Sequence, residues 1–164
     1  MLLEKAYRDE LSGLLNRNGL KEAVKQLPEE KRHAVIAFDI NCLKEINDST
    51  GHKAVNEMIA SVAEIIQANT REGDILARMD GDEFAIVLNG MDDGKFALEK
   101  MQKICNVIEQ SKIPTTAIHP VCSAGIAILQ NPSLFDETYQ QAQRALYHVK
   151  SSGKGGCALW NESI

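Results

Sequence analysis

The sequence predicts an α/β domain with a mixed sheet flanked by helices. Short apolar runs, typical of strands, alternate along the chain with longer segments of helical periodicity, which is the pattern of a layered α/β fold. Asp80-Gly81 stands between two such runs and predicts an antiparallel hairpin, because both residue types tolerate positive φ in a two-residue turn. A length of 164 residues, with 44% apolar and 25% charged, suits one globular domain with a sizeable core.

The first half of the chain predicts helices around one buried strand. Residues 3–11 and 19–26 have helical periodicity, and Pro28 follows the second segment. Residues 34–38 form a continuous apolar run, typical of a strand covered on both faces, which ends at Asp39. Residues 54–69 predict a long helix because their apolar residues recur at helical spacing.

The second half predicts the hairpin, two helices and two further strands. Residues 75–77 and 84–88 are the hairpin strands, and residues 95–110 are helical. A β-rich stretch over 115–129 is interrupted by Pro120. The remaining elements are a helix over 134–151, a glycine-rich break and a strand over 157–160.

Acidic side chains stand at two strand ends. Asp82 and Glu83 follow the Asp-Gly turn, and Asp39 lies at the carboxyl end of a strand, which is where clefts form in sheets packed by helices. Three carboxylates in one cleft raise one another's pKa, and Mg²⁺, which binds carboxylates together with substrate phosphates, relieves that repulsion. The hypothesis is a metal-nucleotide site; an acidic, solvated turn without function is the alternative.

Charge and cysteine usage narrow the class of protein. A net charge of −5 disfavours a basic nucleic-acid surface. No apolar run is long enough to span a bilayer and no signal peptide is visible at the start, so we expect a cytoplasmic chain without membrane contact. The cysteines lie far apart without a C-x-x-C pair and are predicted to be reduced thiols rather than zinc ligands or disulfides: Cys42, Cys105, Cys122 and Cys157.

Six ordered segments resemble the motifs of the GGDEF domain, the diguanylate cyclase family. They are DELSGLLNR (9–17), FDINCLKEIND (38–48), GH (51–52), RMDGDEF (78–84), SAG (123–125) and ALYHVK (145–150). The resemblance implies a central five-stranded sheet surrounded by helices, similar to the polymerase palm and to class III nucleotide cyclases. It also implies the condensation of two GTP molecules into cyclic di-GMP with release of two pyrophosphates.

The resemblance implies roles for matching residues. Asp39, Asp82 and the Ile40 carbonyl match ligands of Mg²⁺ or Mn²⁺, and Asp82 or Glu83 is the expected proton acceptor from the attacking 3′-hydroxyl. The triphosphate contacts are expected from three lysines and from two amides at a helix start: Lys44, Lys150, Lys154, Cys42 and Leu43. Lys44 is counted with the catalytic residues, and the alternative for each lysine is a solvated surface charge.

The base site is where the chain departs from the family. Asn47 matches the guanine contact and His52 the Gly-His pair, with a structural histidine as the alternative. Val55-Asn56 replaces the usual Gly-Asp, and an amide at Asn56 pairs with either purine, which is expected to lower the guanine preference by about 1 to 3 kcal/mol. In the DGDEF segment (residues 80–84), Asp80 replaces the first glycine of the family's GGDEF signature, and its charge is expected to lie near the triphosphate.

The resemblance also predicts regulation and organisation. Arg71 and Asp74 have the register of the family's RxxD site and are expected to bind cyclic di-GMP as a product inhibitor; a surface ion pair is the alternative. Residues 1–8 are expected to end a linker or signalling helix and residues 9–164 to form the catalytic domain, with a sensor domain in the full-length protein and a homodimer for catalysis. The competing hypothesis is an inactive GGDEF-like domain that binds a nucleotide or cyclic di-GMP and signals through protein contacts.

Overall fold

Five strands and five helices form the domain in a computed structural model that describes residues 6–41, 43–113, 118–153 and 155–164. The strands are β1 (His33–Ile40), β2 (Ile75–Arg78), β3 (Glu83–Leu88), β4 (Cys122–Leu129) and β5 (Gly156–Leu159). The helices are α1 (Arg17–Lys25), α2 (Leu43–Thr50), α3 (His52–Ala68), α4 (Gly94–Glu109) and α5 (Phe135–Ser151), which follows a 3-10 turn at Pro132–Leu134. The predicted α/β class and mixed sheet are confirmed.

The sheet has the order β2-β3-β1-β4-β5, with β1 at its centre. β1 is antiparallel to β3 and β4, β2 is antiparallel to β3, and β5 is parallel to β4 at one edge. All eight residues of β1 are buried, as expected of a strand covered on both faces. The central strand therefore leads Asp39 from the core to the end of the sheet where the hairpin turns.

Two apolar layers cover the two faces of the sheet. Ile36 and Phe38 of β1 face the layer formed with α3 and α4, whereas Val35 and Ala37 face the layer formed with α1 and α5. Because successive side chains of a strand point to opposite faces, Asp39 lies on the α5 side. The sheet thus presents the carboxylate of Asp39 to a single helix, α5.

A glycine on β4 sets how closely α5 approaches the sheet. A Cβ atom built on Gly125 would overlap the backbone carbonyl of Ala142 and the backbone amide of Leu146, both on α5. Backbone atoms in a packed helix cannot retreat as a flexible side chain can, so only glycine fits at this contact. Gly125 therefore fixes the depth at which the polar face of α5 meets the strand ends.

The helix predicted over residues 3–11 is wrong for its second part. Residues 3–5 lie outside the described residues, Ala6 and Tyr7 are helical, and Arg8 instead forms a bridge with Leu15. The Asp9 carboxylate accepts hydrogen bonds from the backbone amide of Ser12 at 2.9 Å and from its hydroxyl at 2.7 Å. Such side-chain bonds compete with helical ones, and here they close a turn.

The hairpin is present, but its turn differs from the prediction. Neither Asp80 nor Gly81 has positive φ, because the strands end at Arg78 and begin again at Glu83, which leaves a longer loop than a two-residue turn. The Met79 amide donates to the Glu83 carbonyl at 2.8 Å, and the Arg78 guanidinium donates to the Gly81 carbonyl at 3.0 and 3.2 Å. Aspartate at position 80 therefore brings no backbone strain.

Candidate active site

Asp39 is a buried carboxylate with one oxygen bonded and one left over. It is 5% exposed, and its Oδ2 accepts a hydrogen bond from the Lys150 ammonium of α5. Its Oδ1 is buried and has no hydrogen-bond partner among the described residues. Burial raises the pKa of Asp39, Lys150 opposes this shift, and the neighbouring Asp82 carboxylate adds to it, with a net pKa of about 6. The site thus holds negative charge that the protein itself neutralises only in part.

The hairpin brings its acids to Asp39 through the strand register. Asp39 and Glu83 are direct partners across β1 and β3, and the Ile40 amide donates to the Asp82 carbonyl at 3.2 Å. The two acids then differ in surroundings: the Asp82 carboxylate adjoins Asp39, whereas Glu83 Oε1 accepts from the Tyr139 hydroxyl at 2.8 Å and from Gln143 Nε2 at 3.0 Å. The three predicted carboxylates meet at one strand end, with Glu83 tied to α5.

Side chains on one face of α5 contact acidic residues of both β1 and β3. Tyr139, Gln143 and Lys150 follow one another at spacings of four and seven residues, which places them on the same side of a helix. Lys150 binds Asp39, and the other two side chains bind Glu83. Burial and the charge of Glu83 raise the pKa of Tyr139, so its hydroxyl remains a protonated donor. A single rigid helix therefore orients two carboxylates.

The sequence reasoning missed Tyr139 and Gln143. The helical spacing to Lys150 was the available signal, since residues seven and eleven positions before a site lysine lie on the same face of the helix. Asn41 is a further polar residue of the site, and its Nδ2 donates to the Ser123 hydroxyl of β4 at 2.7 Å. A cleft of about 670 Å³ opens beside Lys150, and its lining includes Asn41, Gly153 and Gly155.

The chemistry of these donors fits a hard divalent cation. Within the described ranges no three His, Cys, Asp or Glu side chains form a preformed metal cage. Mg²⁺ does not need one, because it binds through one or two carboxylates and completes its shell with water and substrate phosphates. Asp39 and Asp82 are such a carboxylate pair. Asp39 Oδ1 has no partner among the described residues, and the Lys150 ammonium binds Oδ2.

The predicted base contacts lie at the corner between α2 and α3. Asn47 is in the second half of α2, Gly51 makes the turn with a φ of 95°, and His52 and Asn56 stand one helical turn apart on α3. His52 and Asn56 are exposed, so the alternative of a structural histidine packed beneath a loop is wrong. Lys44 is exposed on the first turn of α2, which begins at Leu43, whereas Cys42 and Lys154 lie outside the described residues.

Asp80 and the Arg71-Asp74 pair have local partners. The Asp80 carboxylate lies 3.2 Å from the Arg17 guanidinium, with both side chains exposed, so this ion pair contributes little stability. The Asp74 side chain is fully buried and accepts from the backbone amides of Arg71 at 2.8 Å and Asn89 at 2.9 Å. Arg71 donates to the Asn89 carbonyl at 2.6 Å and keeps 59% of its side chain exposed. Asp74 thus shapes the turn that presents Arg71.

The raised pKa of Asp39 predicts a pH-dependent difference in thermal stability between the wild type and Asp39→Asn. The pKa in the fold is about 6 and the ordinary value is 3.8, so the folded wild type gains a proton before the unfolded chain does as pH falls. Lowering the pH from about 7.5 to about 5 in a metal chelator should therefore raise the Tm of the wild type relative to the variant. A Tm difference that stayed constant across this range would contradict the raised pKa.

Removing the hydroxyl of Tyr139 is expected to lower turnover without unfolding the domain. Tyr139→Phe removes one of the two donors to Glu83. It should lower kcat for the cyclic dinucleotide formation that the family resemblance implies by about tenfold, the lower end of what loss of a supporting contact does at metal sites. Tyr147→Phe is the matched control, because Tyr147 lies on the same helix and is 75% exposed. Steady-state kinetics and thermal melts check both variants. Wild-type turnover in Tyr139→Phe would mean that this contact does not orient Glu83 during the reaction.

Comparisons with known proteins agree with this geometry. A family profile described as "Diguanylate cyclase, GGDEF domain" matches residues 6–156. The chain is 28% identical over 99% of its length to the bifunctional diguanylate cyclase/cyclic di-GMP phosphodiesterase MucR of Pseudomonas aeruginosa and 30% identical over 95% to the diguanylate cyclase DosC of Escherichia coli. It spans only 25% of MucR and 35% of DosC.

Solved structures show the same fold. The GGDEF domain of YfiN (TpbB) from Pseudomonas aeruginosa superposes with a TM-score of 0.82 at 28% identity, covering 94% of this chain and 95% of that one. The coiled coil and GGDEF domain of DgcB from Caulobacter crescentus, solved in complex with c-di-GMP, gives a TM-score of 0.83 at 22% identity and covers 96% and 87%. In the described part, no helix is both long and apolar enough to cross a membrane. With its profile match, strand order and site acids, the chain belongs to the diguanylate cyclase GGDEF domain family.

Proposed function

We propose that this chain is a diguanylate cyclase output domain that condenses two GTP molecules into cyclic di-GMP and releases two pyrophosphates. The observation that carries the proposal is the buried Asp39 carboxylate, which neighbours Asp82, bonds Lys150 through Oδ2 and keeps Oδ1 without a partner among the described residues. Such a site binds positive charge strongly and lies at the open end of a sheet, where a phosphate chain can enter. Family membership supports the same activity.

Members of the family typically use Mg²⁺, and the ligands we propose for it, or for Mn²⁺, are Asp39, Asp82 and the Ile40 carbonyl. Bound there, the cation would neutralise the phosphates and lower the pKa of the attacking 3′-hydroxyl. A cation held by Asp39 and Asp82 would supply the positive charge that Lys150 now gives to Asp39. The Lys150 ammonium would then be available to the triphosphate, where a point charge binds phosphate oxygens well.

Proton transfer falls to the hairpin acids in this proposal. Glu83 Oε1 accepts hydrogen bonds from Tyr139 and Gln143, and Glu83 pairs directly with Asp39 across the strands. These contacts support a role for Glu83 beside the reacting phosphate. Glu83 or Asp82 accepts the 3′-hydroxyl proton in this proposal. The triphosphate itself is held by Lys44, Lys154 and the amides of Cys42 and Leu43.

Base recognition rests on the corner between α2 and α3. Asn47 and Asn56 donate and accept along the edge of the purine, and His52 lies at the start of α3 beside them. Since a side-chain amide can present either a donor or an acceptor at each position, Asn56 accepts adenine as well as guanine. The domain is therefore proposed to have relaxed purine specificity.

The activity test needs a dimer, because each domain holds one nucleotide and the reaction joins two. The protein, fused to a dimeric coiled coil, is incubated with Mg²⁺ and GTP, ATP or both, and the products are identified by mass. Cyclic di-GMP from GTP alone supports the proposal, and mixed or adenine products support relaxed specificity. Absence of any cyclic dinucleotide at high protein concentration would overturn the enzyme function.

The second candidate is an inactive domain that binds a nucleotide or cyclic di-GMP and signals through protein contacts. Asn56, in place of the usual acid, favours it, and Asp80 adds negative charge to the hairpin. The ion pair of Asp80 with Arg17 and the complete set Asp39, Asp82 and Glu83 oppose it. Nucleotide binding by calorimetry without product in the dimer assay would select this candidate.

We further propose that Arg71 binds the product as an inhibitor. Its exposed guanidinium lines a hollow together with Arg8, and two arginines near each other suit a ligand with two phosphates. The buried Asp74 carboxylate accepts from two backbone amides, so we assign it the role of holding the turn that presents Arg71 rather than the contact with a base that the sequence suggested. Calorimetry should show binding of cyclic di-GMP to the wild type and a loss of about tenfold or more in Arg71→Ala, with Lys112→Ala as an exposed control. If added cyclic di-GMP changed neither the calorimetric baseline nor the turnover, the proposal of a product site would be wrong.

The larger organisation is proposed from the share of its relatives that the chain spans. Because the chain corresponds to a quarter of MucR and about a third of DosC, further domains are expected beside it in the full-length protein. We propose that a sensor domain controls how two copies pair, that residues 1–8 connect it to the domain at 9–164, and that the domain works in the cytoplasm.

A further inference from the structure

Two thiols that play no part in the proposed chemistry face each other between α4 and β5. Cys105 Sγ and Cys157 Sγ lie 3.7 Å apart and share a weak hydrogen bond, although the residues are 52 positions apart in the chain. A disulfide has a sulfur-sulfur distance of about 2.05 Å, so the two sulfurs must move closer together by somewhat less than half of their present separation for a bond to form. Rotation of two side chains and a small shift of an edge strand can supply that approach.

The two thiols differ in their access to solvent. Cys105 is 3% exposed inside the core, whereas Cys157 on β5 is only half-buried. The hydrogen bond to Cys157, together with burial, raises the pKa of Cys105, so Cys105 remains a protonated thiol. Cys157 is thus the sulfur that a small solute meets first, and Cys105 is the thiol placed behind it.

We propose that Cys105 and Cys157 form a reversible disulfide when the protein meets a peroxide. The Cys157 thiolate attacks one peroxide oxygen, the O–O bond breaks, and the released hydroxide takes up a proton and leaves as water, so Cys157 becomes a sulfenic acid. The Cys105 sulfur then attacks the Cys157 sulfur, the S–S bond forms, the S–O bond breaks, and the hydroxide leaves as water with the Cys105 proton. Two thiols are oxidised and one peroxide is reduced to two waters.

The bond would fasten one edge of the sheet. β5 has four residues, lies at the edge of the sheet, and has β4 as its sheet neighbour. Short edge strands open locally at low free-energy cost. A covalent link to α4 would hold β5 in place together with the segment that joins it to the Lys150 end of α5. In a reducing compartment such a bond forms only transiently, which suits a sensor of oxidants rather than a permanent brace.

The test uses the native 164-residue chain, hydrogen peroxide and mass spectrometry of intact protein and peptides. The expected product has lost two hydrogen atoms, contains a Cys105–Cys157 peptide, melts roughly 5 to 10 °C higher, and returns to the starting state with dithiothreitol. Hydrogen exchange of the β5 amides should slow in the oxidised form. Cys157→Ser should abolish the linked peptide and the Tm rise, whereas Cys122→Ser, which changes a buried thiol on neighbouring β4, should retain both.

Two results would overturn the proposal. The first is oxidation of Cys157 to the sulfinic or sulfonic acid in the native protein without a linked peptide, which would mean that Cys105 does not reach it. The second is a linked peptide that contains Cys42 or Cys122 instead. Because Cys157 is partly exposed, Cys157→Ser is expected to fold, and its Tm under reducing conditions verifies this. The outcome is independent of catalytic activity and therefore separate from the proposed function.

Discussion

Replacing Asp39 with asparagine is expected to lower the rate of cyclic dinucleotide formation by about a hundredfold to a thousandfold. The substitution keeps the shape of the side chain but removes the negative charge that the buried Oδ1 offers to a cation. Losses of this size follow removal of a single preorganised electrostatic contact to a transition state. Turnover of the enforced dimer with GTP and saturating Mg²⁺ is the measurement.

The control for this variant is Asp92→Asn, because Asp92 is an exposed aspartate on the loop after β3. It should keep wild-type turnover, since its charge lies in solvent. Circular dichroism and a thermal melt of Asp39→Asn show whether the fold is retained, so that a lower rate reports on chemistry. Turnover of Asp39→Asn within tenfold of wild type would place the metal-binding charge elsewhere.

Asn56→Asp is expected to raise the preference for GTP over ATP by about tenfold to a hundredfold, as judged by the ratio of kcat/KM values. A carboxylate accepts from both the N1-H and the exocyclic amine of guanine, and it meets only an acceptor at N1 of adenine. The variant gains a charge-assisted hydrogen bond to guanine, whereas adenine leaves one carboxylate oxygen unpaired. The difference in binding free energy between the two bases is about 1 to 3 kcal/mol.

The matched control is Asn106→Asp, which makes the same change on an exposed position of α4. Its GTP to ATP ratio should equal that of the wild type. Competition assays with both nucleotides present measure the ratio directly. An unchanged ratio in Asn56→Asp would mean that the corner between α2 and α3 does not contact the base.

The parts of the fold that depend on local pattern were predictable. A continuous apolar run predicted the buried β1, and helical spacing predicted α3, α4 and α5 to within two residues at the ends. Periodicity predicts these elements because each one buries one face or both faces, and that burial determines the spacing of its apolar residues. Asp39 was also predictable, because a charged residue at the end of a buried strand is costly unless a partner or a ligand compensates its charge.

The missed features depend on contacts between distant residues or on competition between local bonds. In the sequence, Tyr139 and Gln143 look like ordinary helical residues. Their role becomes visible only in the packing of α5 against the ends of β1 and β3, where both side chains bind Glu83. The turn at Asp80-Gly81 adopted negative φ because a longer loop, held by Arg78, was available. The segment after Tyr7 left the helix because the Asp9 carboxylate bonds Ser12. Side-chain choices of this kind have no periodicity to detect.

The close contact at Gly125 has a consequence for interpreting related sequences. A methyl group at that position would displace the backbone of α5, and Lys150 and Gln143 would recede together from Asp39 and Glu83. Gly125→Ala should therefore silence the domain although every acidic and basic residue is still present. Loss of function in a member of this family can thus arise through one buried carbon atom, and an intact signature alone is an incomplete test of competence.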